Sequence, residues 1–326
     1  MLSGPKKVLV TGGAGIVGCN VVKKLREKNC EVVVLDNLSA YPFDYLNEFG
    51  VGRMSDVEFI RGDIRDKNIV NELVDKVDVV IHAAAYADVG ACVRRPELAF
   101  DVNVIGTQNV LDAAVRSDIE KFIFVSSASV YGNPDRQRFK ESDSCFPISN
   151  YGVAKLWGEQ QVKVYGDLYG LKTAGVRFFS VYGTPQVPKE GSHSWAVAIF
   201  GMRAMKAAPI TVFGDGEQIR DFTHVSDIAE SVVRAIYSEK TNGKFFNCGR
   251  GEGTTINEIV AKISKHVKHV PVNYEPHPPG DPRGGFSDTE LMKQLLNWEP
   301  EVSLGDGIAS YIGWVKENQH LIPKWL

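Results

Sequence analysis

The chain is poor in the features that define several large classes of protein. It has five cysteines in 326 residues, widely spaced and without a C-x-x-C pair. This argues against a disulfide framework or a cysteine-based zinc site, and it predicts a cytoplasmic location. The seven histidines form neither H-x-x-x-H nor H-E-x-x-H. We therefore expect no metal site.

Long apolar runs and basic clusters are also missing. No apolar run approaches the roughly 18 residues that cross a bilayer, and the N-terminus lacks the apolar core of a signal peptide. The net charge is −3 and no Lys/Arg-rich run stands out. With 44% apolar and 24% charged residues, we expect a globular protein that uses neither a membrane nor a nucleic acid as partner.

Short runs of Val, Ile, Leu and Phe alternate with helical patterns in the first half of the chain. Such runs are expected where both faces of a sheet are covered, and the alternation predicts an α/β fold with a Rossmann-type, doubly wound parallel sheet. The predicted strands are Val8–Val10, Val32–Leu35, Val57–Ile60, Val77–Ile81, Phe122–Val125 and Thr173–Phe178. The helical patterns include Val17–Lys28 and Ala99–Ser117.

After Ser180 the alternation of strand and helix patterns becomes irregular, with several Pro- and Gly-rich stretches. We predict a first domain over residues 1–180, to which 222–250 return. A smaller domain, made of 181–221 and 251–326, is expected over the carboxyl edge of the sheet. Open α/β sheets bind their ligands at that edge.

A glycine-rich turn follows the first predicted strand. Gly12, Gly15 and Gly18 form G-x-x-G-x-x-G, with Ile16 and Val17 opening a helix. Glycines allow a tight turn and let a pyrophosphate approach the backbone, while the helix N-terminus supplies donors. Strand, turn and helix together predict a dinucleotide site.

Asp36 ends the second predicted strand, eighteen residues after Gly18. A carboxylate there accepts hydrogen bonds from ribose hydroxyls and repels a 2′-phosphate, so it favours NAD over NADP. Neither Arg nor Lys occurs in Asn37–Ser39 to favour NADP. Asp63 and Ile64, after the next strand, are candidates for holding the adenine.

Tyr151 and Lys155 lie four residues apart, which places them on one face if the segment is helical. A free Tyr titrates near ~10, and a neighbouring ammonium lowers that pKa. Ser127, after the strand Phe122–Val125, points into the same crevice if the sheet is doubly wound. The three residues predict proton transfer at a sugar hydroxyl or carbonyl.

These motifs resemble those of the extended short-chain dehydrogenase/reductase superfamily, in particular its NAD-dependent nucleotide-sugar epimerase/dehydratase family. The resemblance spans nearly the whole chain and is closest to UDP-glucose 4-epimerase-like enzymes. The matching segments are Thr11–Gly18, Leu35–Leu38, Gly62–Ile64, His82–Ala85, Asn103–Thr107, Ser126–Gly132, Tyr151–Lys155, Arg177–Phe179, Arg220–Val225 and Pro279–Arg283.

The resemblance implies a bound NAD and a nucleoside-diphosphate sugar as substrate. Tyr151 would deprotonate the sugar's 4-hydroxyl, Lys155 would hold the nicotinamide ribose and lower the pKa of the Tyr, and Ser127 would position the oxygen. The implied cofactor-binding residues are Gly12, Gly15, Ile16, Val17, Gly18, Asp36, Asn37, Ser39, Asp63, Ile64, Ala83, Ala84, Ala85, Asn103, Ser126, Tyr151, Lys155 and Phe178. The implied substrate-binding residues are Ser127, Ser129, Tyr151, Ser180, Phe213, Arg220 and Arg283.

Departures from the family pattern bear on the reaction. The 4,6-dehydratases carry an Asp-Glu pair where this chain has Ala128 and Ser129, which favours plain 4-epimerisation. A 4,6- or 5,6-dehydratase that uses another residue, such as Cys145, stays an alternative.

Other departures bear on the sugar and leave further alternatives. Ser180 is typical of UDP-glucuronate 4-epimerases, another alternative, but Thr184–Gly191 lacks an Arg for a sugar carboxylate. Gly285 is expected to leave room for a 2-acetamido group, so a UDP-hexose and a UDP-N-acetylhexosamine both fit.

Three points stay open at this level. A catalytically idle NAD-binding sensor is the remote alternative. The resemblance also implies a homodimer, formed through a four-helix interface by the apolar helix near Ala99–Ala114 and the Tyr151 helix. Ala87 and Asn150 differ from the usual residues of the family, and their roles are not assigned.

Overall fold

The computed structural model describes residues 4, 6–41, 57–192, 194–267, 270–276 and 283–326. Its main sheet has seven parallel strands in the order β12-β7-β5-β4-β1-β2-β3. These strands are β1 (Lys7–Thr11), β2 (Glu31–Asp36), β3 (Glu58–Arg61), β4 (Val79–His82), β5 (Lys121–Ser127), β7 (Thr173–Phe178) and β12 (Lys244–Cys248). The parallel sheet confirms the predicted fold class.

Helices cover both faces of this sheet. Val21, Val22 and Leu25 of the first helix pack with the strands on one face, and buried residues of the fifth and sixth helices pack on the other. The helices are α1 (Ile16–Glu27), α2 (Lys67–Val74), α3 (Val89–Arg94), α4 (Pro96–Phe100), α5 (Thr107–Arg116), α6 (Asn150–Tyr169), α7 (Ala196–Met205), α8 (Val225–Tyr237), α9 (Ile256–Ser264), α10 (Glu290–Leu296) and α11 (Leu304–Glu317). Both faces of the sheet are therefore dry, as the Val- and Ile-rich strands require.

Two differences from the sequence prediction have local causes. The helix expected over Ala99–Ser117 is divided by a π-helical turn at Asp101–Gly106, where the Thr107 hydroxyl donates to the Asn103 carbonyl at 2.8 Å. Such turns are often found at functional sites. Strand β12 was not predicted, because KFFNC is short and lacks the run of aliphatic residues that marks the other central strands.

A second core lies around α7, α9 and α11. Beside it are small sheets, one with the order β13-β10-β15-β6, one of β11 with β8 and one of β14 with β9. Their strands are β6 (Arg138–Phe139), β8 (Ser180–Tyr182), β9 (Ile210–Phe213), β10 (Ile219–Arg220), β11 (Phe222–His224), β13 (Thr254–Thr255), β14 (Val272–Glu275) and β15 (Gly284–Ser287). The domain boundaries given above stay a prediction.

Candidate active site at the carboxyl edge of the sheet

The glycine turn between β1 and α1 is packed so closely that side chains would not fit. A Cβ at Gly12, whose φ is +71°, would lie 2.6 Å from the Ala84 nitrogen, and a Cβ at Gly18 would lie 2.1 Å from the Gly12 oxygen. The turn thus lies directly against the end of β4. Its shape fits a pyrophosphate held by backbone N–H groups at a helix N-terminus.

Asp36 closes one side of this turn. Its carboxylate accepts hydrogen bonds from the backbone N–H groups of Ala14 at 3.0 Å and Leu38 at 2.8 Å. Burial raises the pKa of Asp36, and the two hydrogen bonds oppose that rise. The carboxylate is therefore fixed beside the glycine turn, where a ribose would lie.

Asp63 extends this set from the neighbouring strand end. Its carboxylate accepts from Asn37 Nδ2 at 2.8 Å and forms a 2.8 Å ion pair with Arg65, whose hydrogen bond lowers the pKa of Asp63 to about 2. Asn37 Oδ1 in turn accepts from the Ser39 backbone N–H at 2.9 Å. The structure thus brings three of the predicted cofactor residues, Asn37, Ser39 and Asp63, into one hydrogen-bonded group that follows Asp36.

A buried chain of hydrogen bonds lies beneath the glycine turn. His82 Nδ1 is 2.8 Å from Thr11 Oγ1, and His82 Nε2 is 2.9 Å from Thr107 Oγ1. Because Thr107 donates its hydroxyl proton to the Asn103 carbonyl, it must accept from His82 Nε2–H. Burial lowers the pKa of His82 to about 3, so the ring is neutral and structural.

Asn103 fixes the loop that follows β4. Its Oδ1 accepts from the Tyr86 backbone N–H at 2.7 Å, and its Nδ2 donates to the Tyr86 carbonyl at 3.1 Å. Both ends of the side chain are thus used on the loop that carries Ala83, Ala84 and Ala85. Asn103 positions the wall of the cofactor site.

The candidate catalytic residues come together from β5 and α6. Helix α6 begins at Asn150, where the Ser149 side chain accepts from the Gly152 N–H, and this places Tyr151 and Lys155 one turn apart. The Lys155 ammonium donates to the Val125 carbonyl at 2.7 Å and lies 5.8 Å from the Tyr151 ring centre. The Ser127 Oγ contacts Ser129 Oγ at 3.1 Å.

Burial governs the protonation of this group. It is the largest effect on Tyr151 and raises its pKa, whereas a hydrogen bond with Ser127 acts in the opposite direction. Burial also lowers the pKa of Lys155 to about 8. Desolvation thus disfavours the phenolate, and the lowering of the Tyr151 pKa by Lys155 stays a prediction.

The Ser126 side chain is used inside the fold. Its hydroxyl donates to Glu159 Oε1 at 2.5 Å in the buried layer between β5 and α6. Successive residues of a strand point to opposite faces, so the Ser126 side chain is directed inward while Ser127 lies at the strand end. Cofactor binding by Ser126 stays a prediction, and its backbone is the part left to provide it.

A buried ion pair lies behind the catalytic residues. Arg177 donates to Glu159 through Nε at 2.9 Å and Nη2 at 2.7 Å, and through Nη1 to the Tyr131 hydroxyl at 2.8 Å. Tyr131 donates onward to Asn247 Oδ1 at 2.6 Å. The network joins α6, β7 and β12 under the site. Sequence reasoning missed Glu159, although its place four residues after Lys155 was a usable signal.

The two predicted diphosphate-binding arginines are carried by neighbouring segments of one small sheet, since Arg220 ends β10 and Arg283 immediately precedes β15. In strand β10, Ile219 pairs with Gly284 of β15, and the Ile219 N–H donates to the Arg283 carbonyl at 3.0 Å. Arg283 is exposed and Arg220 is half-buried. The rest of the Pro279–Arg283 motif lies outside the described residues.

The remaining predicted residues lie around the same edge. Gln218 Nε2 donates to the Phe213 carbonyl at 2.8 Å, which keeps Phe213 close to β10. The Ser180 N–H donates to the Asp221 carbonyl at 2.9 Å, and Phe178 is paired with Ser127 across β5 and β7. Ile64 is buried against the position of Gly106.

Lys189 is a residue that sequence reasoning missed. It lies between the rings of Tyr41 and Trp195, with its ammonium 5.5 and 5.4 Å from their centres. Burial lowers the pKa of Lys189, whereas the charges of Asp88 and Asp36 act in the opposite direction. No local pattern indicates this, since the contact joins segments far apart in sequence.

The parallel sheet, the glycine turn, Asp36 and the Ser127, Tyr151 and Lys155 group define an NAD-binding enzyme of the short-chain dehydrogenase/reductase type. A sequence profile of the NAD dependent epimerase/dehydratase family matches residues 8–249. The chain belongs to this family.

Individual proteins match over almost the whole chain. A putative UDP-glucose 4-epimerase of Methanocaldococcus jannaschii is 35% identical, with 95% of this chain and 99% of the relative covered. The structure of the UDP-glucose 4-epimerase of Thermotoga maritima with UDP-glucose has a TM-score of 0.89 at 33% identity, and the match covers 96% of this chain and 99% of that one. That of UDP-glucuronic acid 4-epimerase of Bacillus cereus, with UDP-glucuronic acid and NAD, has a TM-score of 0.88 at 30% identity, covering 95% and 99%.

The described residues contain neither a membrane-spanning helix nor a cluster of metal ligands. No helix there has the length and apolar character to cross a membrane. No cluster of three or more His, Cys, Asp or Glu residues in the same part of the chain is arranged to hold a metal ion.

Proposed function

We propose that the protein interconverts the C4 epimers of a UDP-hexose, with NAD as the acceptor and donor of the C4 hydride. The observation that carries this proposal is the meeting of Tyr151, Lys155 and Ser127 at the sheet edge that also holds the glycine turn. NAD-dependent epimerisation is the activity of the UDP-sugar 4-epimerases that this chain resembles over its full length.

The residues present fit NAD. The close-packed glycine turn, the N-terminus of helix α1 and the fixed carboxylate of Asp36 suit its pyrophosphate and adenosine ribose. When bound, NAD supplies a nicotinamide that takes up a hydride and can return it. The chain's own residues bind and orient the cofactor and the sugar, and they move the proton.

Tyr151 takes the proton from the 4-hydroxyl as the hydride leaves C4. Because burial raises its pKa, the phenolate needs positive charge nearby, and the Lys155 ammonium lies one helical turn away. Ser127, hydrogen-bonded to Tyr151 in the same set, orients the oxygen of the sugar. The 4-keto sugar then rotates in the site, so that the opposite face of C4 is presented for return of the hydride. Tyr151 returns the proton to the C4 oxygen.

The diphosphate is held by Arg220 and Arg283 on paired strands while the sugar turns. Planar guanidinium groups form paired, charge-assisted bonds with phosphate oxygens. Phe213, kept beside this pair through Gln218, is placed to contact the base. Ser180, at the start of β8, and Ser129, beside Ser127, are placed toward the sugar.

Dehydration is less well supported than epimerisation. Ala128 and Ser129 lie in a short 3-10 turn and offer no carboxylate. Burial raises the pKa of the Cys145 thiol, which makes a thiolate base scarcer at neutral pH. The part of the chain that the structure describes therefore offers no strong candidate at this place for the acid–base pair that water loss from C5 and C6 requires.

Gly285 is also needed by the packing of β15 against β6. A Cβ at this position would lie 2.2 Å from the Gln137 oxygen and 2.8 Å from the Phe139 ring. A glycine is thus required here whichever sugar binds, and the room that it leaves for a 2-acetamido group stays a prediction. The proposal keeps a UDP-hexose as substrate, with a UDP-N-acetylhexosamine as the alternative.

The test is incubation with UDP-glucose, UDP-galactose, their 2-acetamido analogues, UDP-glucuronate and the corresponding dTDP- and GDP-hexoses. We expect a UDP-hexose to give a product of unchanged mass whose NMR spectrum shows inversion at C4. A product lighter by one water would identify a dehydratase, turnover of UDP-glucuronate alone a uronate epimerase, and no turnover with bound NAD a sensor.

We also propose a cytoplasmic homodimer. The five free cysteines support a reducing compartment. Large apolar side chains are exposed on α6, including Leu168 at 70% and Tyr169 at 59%, and on the neighbouring segment, including Phe100 at 54%. Two such helical faces per protomer fit a four-helix interface of two-fold symmetry.

Sedimentation velocity tests the dimer. Leu168→Glu should shift the protein toward monomer, whereas Tyr274→Glu, at a residue 59% exposed on β14, should not. A monomeric wild-type protein at micromolar concentration would contradict the proposal.

A further inference from the structure

The segment 184–192 crosses over the cofactor side of the molecule. Asn20 Nδ2, on α1 just after the glycine turn, donates to the Thr184 carbonyl at 3.0 Å. Tyr311 of α11 donates its hydroxyl to the Gln186 carbonyl at 2.6 Å, and Arg94 Nη1 contacts the Gly191 carbonyl at 3.5 Å. The segment is thus attached at its start to the helix whose N-terminus faces the pyrophosphate.

Lys189 is the cation that this segment brings to the cofactor side. Its ammonium lies 5.5 Å from the Tyr41 ring centre and 5.4 Å from the Trp195 ring centre, a geometry in which aromatic faces attract a cation. Burial lowers the pKa of Lys189, while the charges of Asp88 and Asp36 raise it. Asp36 is the carboxylate fixed to the glycine turn through Ala14, and Asn20 of α1 binds the start of the segment through Thr184, so Lys189 lies on the side of the molecule that carries that turn.

The surroundings of Lys189 leave its charge incompletely compensated. Within the described chain it forms no direct ion pair with a carboxylate. Asp88, only 4% exposed, accepts from the Ala91 N–H at 2.6 Å with one oxygen, while its other oxygen, Oδ2, is buried without a hydrogen-bond partner. Buried polar atoms are rarely left in this state. Asp88 and Lys189 are therefore left with hydrogen-bonding capacity that the described residues do not use.

The cofactor has a charge that the glycine turn does not balance. A dinucleotide pyrophosphate carries two negative charges, yet Thr11–Val17 contains no Lys, Arg or His. Asp36 adds a further negative charge at the same place. Backbone N–H groups and the helix dipole are worth less than a full cation. A cation from another segment would add a full positive charge to the backbone donors of the site.

We propose that Lys189 binds the pyrophosphate of NAD from the side opposite the glycine turn, so that the segment 184–192 retains the cofactor. The aromatic pair of Tyr41 and Trp195 holds the side chain in place, and Asp88 orients the ammonium. This inference concerns the cofactor and stands whichever sugar is the substrate.

The test compares NAD binding to wild type and Lys189→Met. Protein stripped of nucleotide is titrated calorimetrically with NAD and with adenosine, which lacks the pyrophosphate, and the NAD content of the untreated proteins is measured. We expect Lys189→Met to weaken NAD binding about 10- to 100-fold, the range of one charge-assisted hydrogen bond, and to leave adenosine binding unchanged. Lys189→Arg should stay within a few-fold of wild type.

Lys206→Met, at an exposed lysine after α7, is the matched control and should bind NAD as wild type does. Equal NAD affinity of Lys189→Met and wild type would overturn the proposal. Parallel loss of NAD and adenosine binding would also overturn it, since Lys189 would then only support packing. Weakened NADP binding with unchanged NAD binding would place Lys189 at a 2′-phosphate, and weakened UDP binding alone would place it at the substrate.

Discussion

The two ends of the site are built differently. The proton-transfer end stands on β5, of seven residues, and α6, of twenty, with a buried ion pair behind them. The proposed diphosphate end is carried by β10, of two residues, and β15, of four, with Arg283 exposed. Proton transfer depends on atomic position, so it requires rigid support. Binding of a diphosphate by charge tolerates solvent and movement, which suits a sugar that must turn over while its nucleotide stays bound.

The largest expected effect is at the proton-transfer end. Tyr151→Phe removes the proton acceptor and keeps the ring, so kcat should fall about a thousand-fold or more while KM changes little. Steady-state epimerisation of the preferred UDP-sugar measures this. Tyr169→Phe, on the exposed end of the same helix, is the matched control. Activity of Tyr151→Phe close to that of the control would remove Tyr151 from the mechanism.

The support behind that end should matter for stability. Glu159→Gln keeps the shape but leaves Arg177 buried without its counter-charge, which typically costs about 3–5 kcal/mol. Urea unfolding should show this loss. The exposed pair of Lys163 and Asp167 on the same helix, 3.3 Å apart, provides the control, because Asp167→Asn should change the free energy of unfolding by less than about 0.5 kcal/mol. Equal losses in the free energy of unfolding for the two variants would mean that the buried network stabilises the fold no more than an exposed ion pair does.

The same contrast explains which parts the sequence could reveal. The glycine turn, Asp36 and the Tyr151–Lys155 pair are local patterns, and each side chain lies close in sequence to the element that positions it. Glu159 could have been found by helical spacing. Lys189 could not, because its neighbours Tyr41, Asp88 and Asp36 come together only through the tertiary fold. The buried partner of Ser126 and the tight packing at Gly285 could not be predicted either, since Glu159 and Gln137 are remote from them in sequence.

At the diphosphate end the expected effect is on binding. Arg283→Met removes one charge-assisted contact of about 1.5–3 kcal/mol, so KM should rise roughly 10- to 100-fold with little change in kcat. Arg136→Met, at an exposed arginine paired with Asp143 at 2.6 Å, is the control. A fall in kcat at unchanged KM would mean that Arg283 acts on the transition state, and the contrast between the two ends would weaken.

The smallest effect concerns His82, which lies between the cofactor turn and the π-helical turn. Its pKa is lowered to about 3 by burial, with a further contribution from the Lys155 charge, against about 6.5 in the unfolded chain. Between these values the unfolded state binds the extra proton, so this residue makes the free energy of unfolding fall as pH decreases, by at most about 1.4 kcal/mol per pH unit.

The His82→Asn variant should lose that slope between pH 6 and pH 4 even if it is less stable throughout. His266→Gln, at an exposed histidine, should keep it. Carboxyl groups titrate in the same window in all three proteins, so the difference between the slopes isolates His82. Identical slopes in wild type and His82→Asn would mean that the ring is protonated in the folded protein, and the neutral hydrogen-bonded chain from Thr11 to Asn103 would be wrong.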